Sequence, residues 1–243
     1  MATLMGKKII VVGGSSDIGL GVAEAAVRRG AKVIVVGRSP ERLEAAKASL
    51  GPRANVETIS ADMTAEAEIA RLFEEVGPFD HLVSTAGSPP PGSPIGQTDI
   101  AEVRAFVDNK LLGAVLLAKY ASRTLNPGGS MTFTSGINKD RPPVPGGAVV
   151  SAIAGSFSYF ARALALELAT MRVNVVSPGW VDTPMFEQLA GDMKPDLFKA
   201  MAARLPSGKI ATAADIAPAY IHAMESAFTT GQTLNIDGGQ SII

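Results

Sequence analysis

The sequence predicts an α/β protein, a doubly wound parallel sheet covered on both faces by helices. Three observations predict it. Short β-branched runs alternate with amphipathic runs along the whole chain, the first such pair is joined by a glycine-rich turn, and no linker, repeat or low-complexity tail divides the 243 residues. Candidate strands are Lys8–Val12, Lys32–Val36, Val56–Ser60, His81–Ser84, Ser130–Thr134, Arg172–Val176 and Thr233–Ile236. Helical patterns lie between them at about 17–29, 40–50, 65–76, 99–125, 148–169 and 213–225. Strands this apolar are buried on both faces, which is the parallel-sheet pattern. Residues 1–243 read as one domain, and 47% hydrophobic content is ample for its core.

The first unit is the most informative. Lys8-Ile9-Ile10-Val11-Val12 runs into Gly13-Gly14-Ser15-Ser16-Asp17-Ile18-Gly19, and a helix pattern follows from Leu20 to Arg29. Strand, glycine turn and helix together make a site for an anion, because the helix's free N–H groups and positive dipole end point at the turn. Gly13 and Gly14 permit a tight turn and close approach, and Ser16 can cap the helix. Gly14 to Gly19 has the spacing of a nucleotide-triphosphate loop, but Leu20-Gly21 follows it where Lys-Ser/Thr would be needed, which excludes that reading. Later helices carry their own start signals: Ser39 before Pro40, Thr64 before Ala65-Glu66, and Thr212 before Ala213-Ala214-Asp215.

Composition excludes several classes. Net charge is −1 with no basic cluster, so neither nucleic acid nor an anionic membrane surface is expected as a partner. There is no cysteine, and the two histidines, His81 and His222, cannot make a metal cluster; no metal is expected. No signal-peptide pattern precedes the first strand and no apolar stretch reaches the ~20 residues of a membrane span, so a cytoplasmic setting is expected. A hydrolase is disfavoured, since no Gly-x-Ser-x-Gly is present.

Three connections exceed what an α/β unit needs. Residues 88–98 carry Pro89-Pro90-Pro91 and Pro94, residues 135–147 carry Pro142, Pro143 and Pro145, and residues 177–211 are rich in Met and Phe. All three follow carboxyl ends of strands, where open α/β sheets bind ligands. The last, at about 183–211, reads either as a lid over a lipophilic substrate or as two short helices burying their own apolar faces.

The glycine loop, Asp62-Met63, Ala86-Gly87, Ser135, Pro178-Gly179 and the ending Asn235-Ile236-Asp237-Gly238-Gly239 fall in one order. Together they resemble the short-chain dehydrogenase/reductase family over essentially the whole chain. The resemblance implies a Rossmann-type sheet of about seven strands, NAD(P)(H) binding, and a homodimer or homotetramer built on the fourth and fifth helices. It implies that Gly13, Ser15, Ser16 and Ile18 line the pyrophosphate, Asp62 and Met63 the adenine, and Ala86 and Gly87 the ribose region. Pro178, Gly179, Val181 and Thr183 would hold the nicotinamide carboxamide.

Departures from the family pattern are as informative. Val12 and Asp17 replace a Thr and the middle Gly of the loop; Asp tolerates unusual backbone regions, so the loop is expected to survive. Ser84-Thr85-Ala86-Gly87 stands for Asn-Asn-Ala-Gly. Where the family carries Tyr-x-x-x-Lys on its fifth helix, this chain reads Val150-Ser151-Ala152-Ile153-Ala154. Tyr159 lies nine residues on, more than two turns away. Ser135 remains by match as a catalytic residue. The fourth-helix Asn position falls on Lys110 when counted back from Gly113, with Asn109 as the other register. Lys110 shares a stripe with Ile100, Val103, Val107, Ala114, Leu117 and Ala121, and a buried lysine is costly unless paired or functional. Either it returns an amine to the site that Ala154 vacates, or it snorkels outward or pairs with a carboxylate such as Asp108.

Cofactor choice follows from the end of the second strand, Val36-Gly37-Arg38-Ser39. A carboxylate there would suit a ribose 2′-hydroxyl, whereas Arg38 is a planar donor suited to a 2′-phosphate. NADP(H) is therefore expected, with hydride transfer between its nicotinamide and a small carbonyl or alcohol substrate through an atypical site. The alternative is a catalytically silent NADP(H)-binding sensor or scaffold.

Overall fold

The structure is a computed structural model that describes residues 4–52 and 54–243, with the side chains of Met185, Gln188 and Leu189 excepted. Seven parallel strands form one sheet: β1 (Lys8–Val12), β2 (Lys32–Gly37), β3 (Val56–Ser60), β4 (Phe79–Ser84), β5 (Leu125–Thr134), β6 (Arg172–Pro178) and β7 (Thr233–Ile236). Their order is β3-β2-β1-β4-β5-β6-β7, which reverses direction between β1 and β4. Alternate strand residues feed two cores. Ile10, Val12, Leu82 and Phe133 face α3 (Glu66–Val76), α5 (Gly113–Ala121) and α6 (Gly147–Glu167). Ile9, Val11, Val83 and Val176 face α1 (Asp17–Val27), α2 (Pro40–Leu50) and α9 (Ala213–Glu225). The period-2 alternation of a strand makes this two-faced burial possible.

Four expectations need correction. The helix expected over 99–125 is α4 (Ile100–Val107), a π turn at Asp108–Leu112, and α5; Ile100 is exposed, so the continuous stripe does not exist. β5 begins at Leu125 and reaches Ser130 through an irregularity in its pairing with β4. Ser16 does not cap α1, because its hydroxyl donates instead to Asp17 Oδ2 at 3.1 Å, and the residue before α3 is Ala65, while Thr64 bonds Asp62. The caps at Ser39 and Thr212 stand as expected.

The 21-residue α6 is long and apolar enough, by length and composition, to cross a membrane, which amends the expectation from the sequence. Here one face, with Val150, Ala154, Phe157 and Ala161, packs on the sheet, while Tyr159 and Leu166 are 72% and 84% exposed. Leu112 and Val115, around the start of α5, are also exposed. Apolar surface of this extent favours self-association. Light scattering at micromolar concentration is expected to give a dimer or larger, with Leu166→Glu shifting it toward monomer; a monomeric parent would contradict this.

Near the amino-terminal end of the central strand β4, His81 is 5% exposed and its Nδ1 lies 2.9 Å from Ser130 Oγ. Desolvation, helped by the neighbouring Arg172 charge, pushes its pKa down to about 4. An unfolded chain would protonate this residue near 6.5, so stability is lost as pH falls from there toward 4 and is level for this group below that. The expected loss is on the order of 3 kcal/mol. Denaturant titrations from pH 7 to 4 should show that slope, and His81→Gln should flatten it; an unchanged slope would exclude His81 as its source.

Candidate active site

The site is traced by contacts along the carboxyl ends of β1, β4, β5 and β6. Gly13 has φ +80° and donates its N–H to Val36 O at 2.8 Å. A Cβ there would lie 2.6 Å from Ala86 N, and one on Gly19 would lie 2.2 Å from Gly13 O, so both positions require glycine. Thr85 locks this turn: its N–H donates to Val12 O at 2.9 Å and its hydroxyl lies 3.2 Å from both Val12 O and Gly13 O. Asp17 is the one non-glycine with positive φ (+53°) among the described residues, a left-handed backbone that Asp tolerates better than most residues. Ser15 lies under the end of β2, where a Cβ on Gly37 would come 3.3 Å from its hydroxyl, and Ile18 packs on the α9-side core. With Ser16 turned to Asp17, the first-turn amides of α1 have no side-chain cap, the arrangement that suits an anionic group.

At the next strand end, Arg38 is exposed and makes no ion pair within 4 Å among the described residues. Ser39 caps α2 by accepting from Arg42 N–H at 3.3 Å. Asp62 is held below the usual carboxylate range: partial burial opposes this, but the Thr64 amide and hydroxyl and the Arg38 charge outweigh it. The Met63 side chain is buried against Gly113, so it offers a ligand only backbone.

Lys110 reaches inward. Its ammonium donates to Ala86 O at 3.4 Å and lies 5.6 Å from the centre of the Phe157 ring. It is also 3.4 Å from where a Gly87 Cβ would be, so the glycine leaves its space. The amine has no carboxylate within 4 Å among the described residues, and desolvation pushes its pKa down to about 8. The π turn Asp108–Leu112 directs this residue, as such insertions often do at functional sites. The neighbouring Asn109 has a buried Oδ1 with no partner. Ser135, also buried, donates its hydroxyl to Ala154 O at 2.7 Å and its amide to Val176 O. Val150 and Ala154 are both 7% exposed on the same helix.

Beyond β6, Pro178 pairs with Ile236, and a Cβ on Gly179 would lie 2.7 Å from Asp237 Cα. The Val181 side chain is in the core, whereas Thr183 has a buried Oγ1 without a partner, a polar atom placed for a ligand. The segment at 183–211, read as a lid or as two short helices, contains two short helices, α7 (Pro184–Ala190) and α8 (Lys194–Arg204). The proline-rich loops after β4 and β5 touch, since a Cβ on Gly146 would lie 2.0 Å from Gly92 O. The roles of Thr85 and Phe157 and this loop crossing escaped the sequence reading, because only tertiary contact creates them. None of the three tyrosines reaches Ser135 as a hydroxyl donor. Tyr120 bonds Glu66, Tyr159 is exposed, and Tyr220 is fully buried on α9, its hydroxyl 2.6 Å from that of Thr134.

Comparison with known proteins gives the family. A family model described as enoyl-(acyl carrier protein) reductase matches residues 12–241. The short-chain dehydrogenase/reductase ATR9 of Stachybotrys chlorohalonatus is 34% identical, over 98% of both chains. The 3-oxoacyl-[acyl-carrier-protein] reductase of Homo sapiens is 33% identical, over 98% of this chain and 100% of that protein. Among solved structures, a small-chain dehydrogenase in complex with NADPH superimposes with a TM-score of 0.82 at 31% identity, covering 98% of this chain and 100% of that one. With the seven-strand order, the glycine turn and similarity along its whole length, the chain belongs to the short-chain dehydrogenase/reductase family of oxidoreductases.

Proposed function

We propose that the protein uses NADP(H) to interconvert a carbonyl compound and an alcohol, with Lys110 and Ser135 doing the work that a Tyr-x-x-x-Lys pair does in the family pattern. The observation that carries this reading is the placement of Lys110. Its ammonium sits beside Ala86 and Gly87, the residues expected at the ribose, with no competing carboxylate among the described residues.

The residues present fit a dinucleotide. The cradle at Gly13 and Gly19 admits no Cβ, α1 presents uncapped amides, and Thr183 has an orphaned hydroxyl. Gly13, Ser15, Ser16 and Ile18 would hold the pyrophosphate, and Arg38 and Ser39 a 2′-phosphate. Asp62 and the Met63 backbone would border the adenine, with Pro178, Gly179, the Val181 backbone and Thr183 at the carboxamide. NADPH supplies the hydride when bound. Lys110, mostly protonated at neutral pH because its pKa of about 8 still lies above it, is the proton source for the nascent alkoxide or the clamp on the ribose. Ser135 orients the carbonyl once its hydroxyl turns from Ala154 O.

Magnitudes allow turnover without the tyrosine. A general acid contributes about 10²–10⁴ in rate, whereas holding the two reactants in attack geometry supplies roughly 7–11 kcal/mol. One observation favours a silent binder instead: Ser135 already donates to Ala154 O, on the helix where Val150 stands in place of a tyrosine hydroxyl. NADPH oxidation on a panel of aldehydes, ketones and quinones separates the two. Turnover supports the reductase; binding of NADPH with no turnover on any of them supports the binder.

A further inference from the structure

The segment after β6 concentrates aromatic side chains next to the residues proposed to hold the nicotinamide. Trp180 directly follows Gly179 and stacks on Phe186, with ring centres 4.9 Å apart and planes 22° from parallel. Phe198 of α8 meets both edge-on, 6.2 Å from Trp180 and 5.3 Å from Phe186. All three rings are only partly buried, and α8 has no buried residue at all. A cluster that served only as the mini-core of two helices would enclose its rings; these three residues stay partly exposed, and Trp180 follows Gly179 directly in the chain. Its anchorage is firm. Trp180 O accepts from Ala211 N–H at 3.0 Å, and Asp182 N–H donates to Ala211 O at 2.7 Å.

Charge narrows the ligand further. Lys194 lies over Phe198 at 5.3 Å and pairs with both Asp182 at 2.7 Å and Glu187 at 3.2 Å. Two carboxylates around one ammonium give this group of charges a net negative sign, so it offers no cation free to pair with an anionic substrate. Ring faces favour a flat π system, through offset or edge contacts that a flexible alkyl chain cannot make.

We infer that Trp180, Phe186 and Phe198 form a subsite for an uncharged, flat aromatic ketone or aldehyde, and that this compound class is the substrate. The inference rests on the reductase reading and names the substrate of that same site.

Trp180 is the chain's single tryptophan, so its emission reports the subsite directly. Titration of the full chain with 1-indanone and α-tetralone, against cyclohexanone and 2-octanone, is expected to quench Trp180 with about fivefold to tenfold tighter binding of the aromatic pair. Phe198→Leu, which keeps an apolar side chain of similar reach, should lower that aromatic-to-aliphatic ratio by a similar factor at unchanged thermal midpoint. If Phe198→Leu unfolds, Phe186→Leu gives the same readout. Equal affinities for the two pairs, no quenching by either aromatic ketone, or a ratio untouched in a folded variant would overturn the inference. NADPH binding, followed by the coenzyme's own fluorescence, keeps the two readings apart. Binding of NADPH without aromatic preference removes only the subsite, whereas aromatic preference without NADPH binding removes the reductase reading and leaves the subsite standing.

Discussion

Lys110→Met is expected to lower turnover by ~10²-fold or more while leaving the fold intact, the scale of a lost general acid. Methionine fills the space against Phe157 and Gly87 without the charge, and the parent amine has no ion pair among the described residues whose partner would be stranded. Removing a desolvated charge should not destabilise the protein. The pH profile makes the assignment specific. Reduction needs the protonated amine, so kcat/KM should fall as pH rises through about 8, the value to which burial lowers Lys110, and Lys110→Met should lack that limb. Ser135→Ala should also reduce turnover, and the double variant should lose less than the product of the two, because groups acting on one carbonyl do not contribute independently. NADPH affinity separates the two roles of the amine: a proton donor leaves it nearly intact, a ribose clamp weakens it. Unchanged turnover in both single variants would remove Lys110 and Ser135 from the mechanism.

Arg38 should decide the cofactor. Tighter binding of NADPH than NADH is expected, with Arg38→Ala narrowing the difference by about 1.5–3 kcal/mol, the range for hydrogen bonds to charged groups. The guanidinium is exposed and makes no ion pair among the described residues, so no internal bond has to break before it meets a phosphate. Exposure also means screening, so the preference should weaken with salt. Asp62 is close enough to feel the Arg38 charge, and Asp62→Asn should sharpen the preference by removing a negative charge near the phosphate. Calorimetry on both cofactors is the measurement. Equal affinities in the parent protein would end the assignment.

The architecture was legible in the chain because its signals are local. Apolar runs of period 2 and 3.6 mark strands and helices wherever they end up, and those runs placed all seven strands. The glycine turn was legible for a similar reason: a strand, a run of small residues and a helix are contiguous, so their meaning does not wait on distant partners. Asp17 illustrates the limit of that reasoning, since its tolerance of an unusual backbone could be anticipated and its φ of +53° is the outcome. Other features exist only through contact. The sequence shows Lys110 as one charge on an apolar stripe, and whether it turned in or out depended on a π turn that no residue pattern announces. Gly87 leaves room for its amine and Phe157 flanks it from a helix 47 positions downstream, and neither fact is written near Lys110. Ser16 looked like a cap by its position and instead bonds Asp17, because two side-chain geometries compete for one hydroxyl. The chain by itself therefore determined the sheet, its helical layers and the edge on which ligands are expected, all consequences of short-range periodicity. Tertiary packing alone decided which polar groups meet at that edge, because a burial cost or a hydrogen bond between segments far apart in sequence is set only when the whole fold has closed around them.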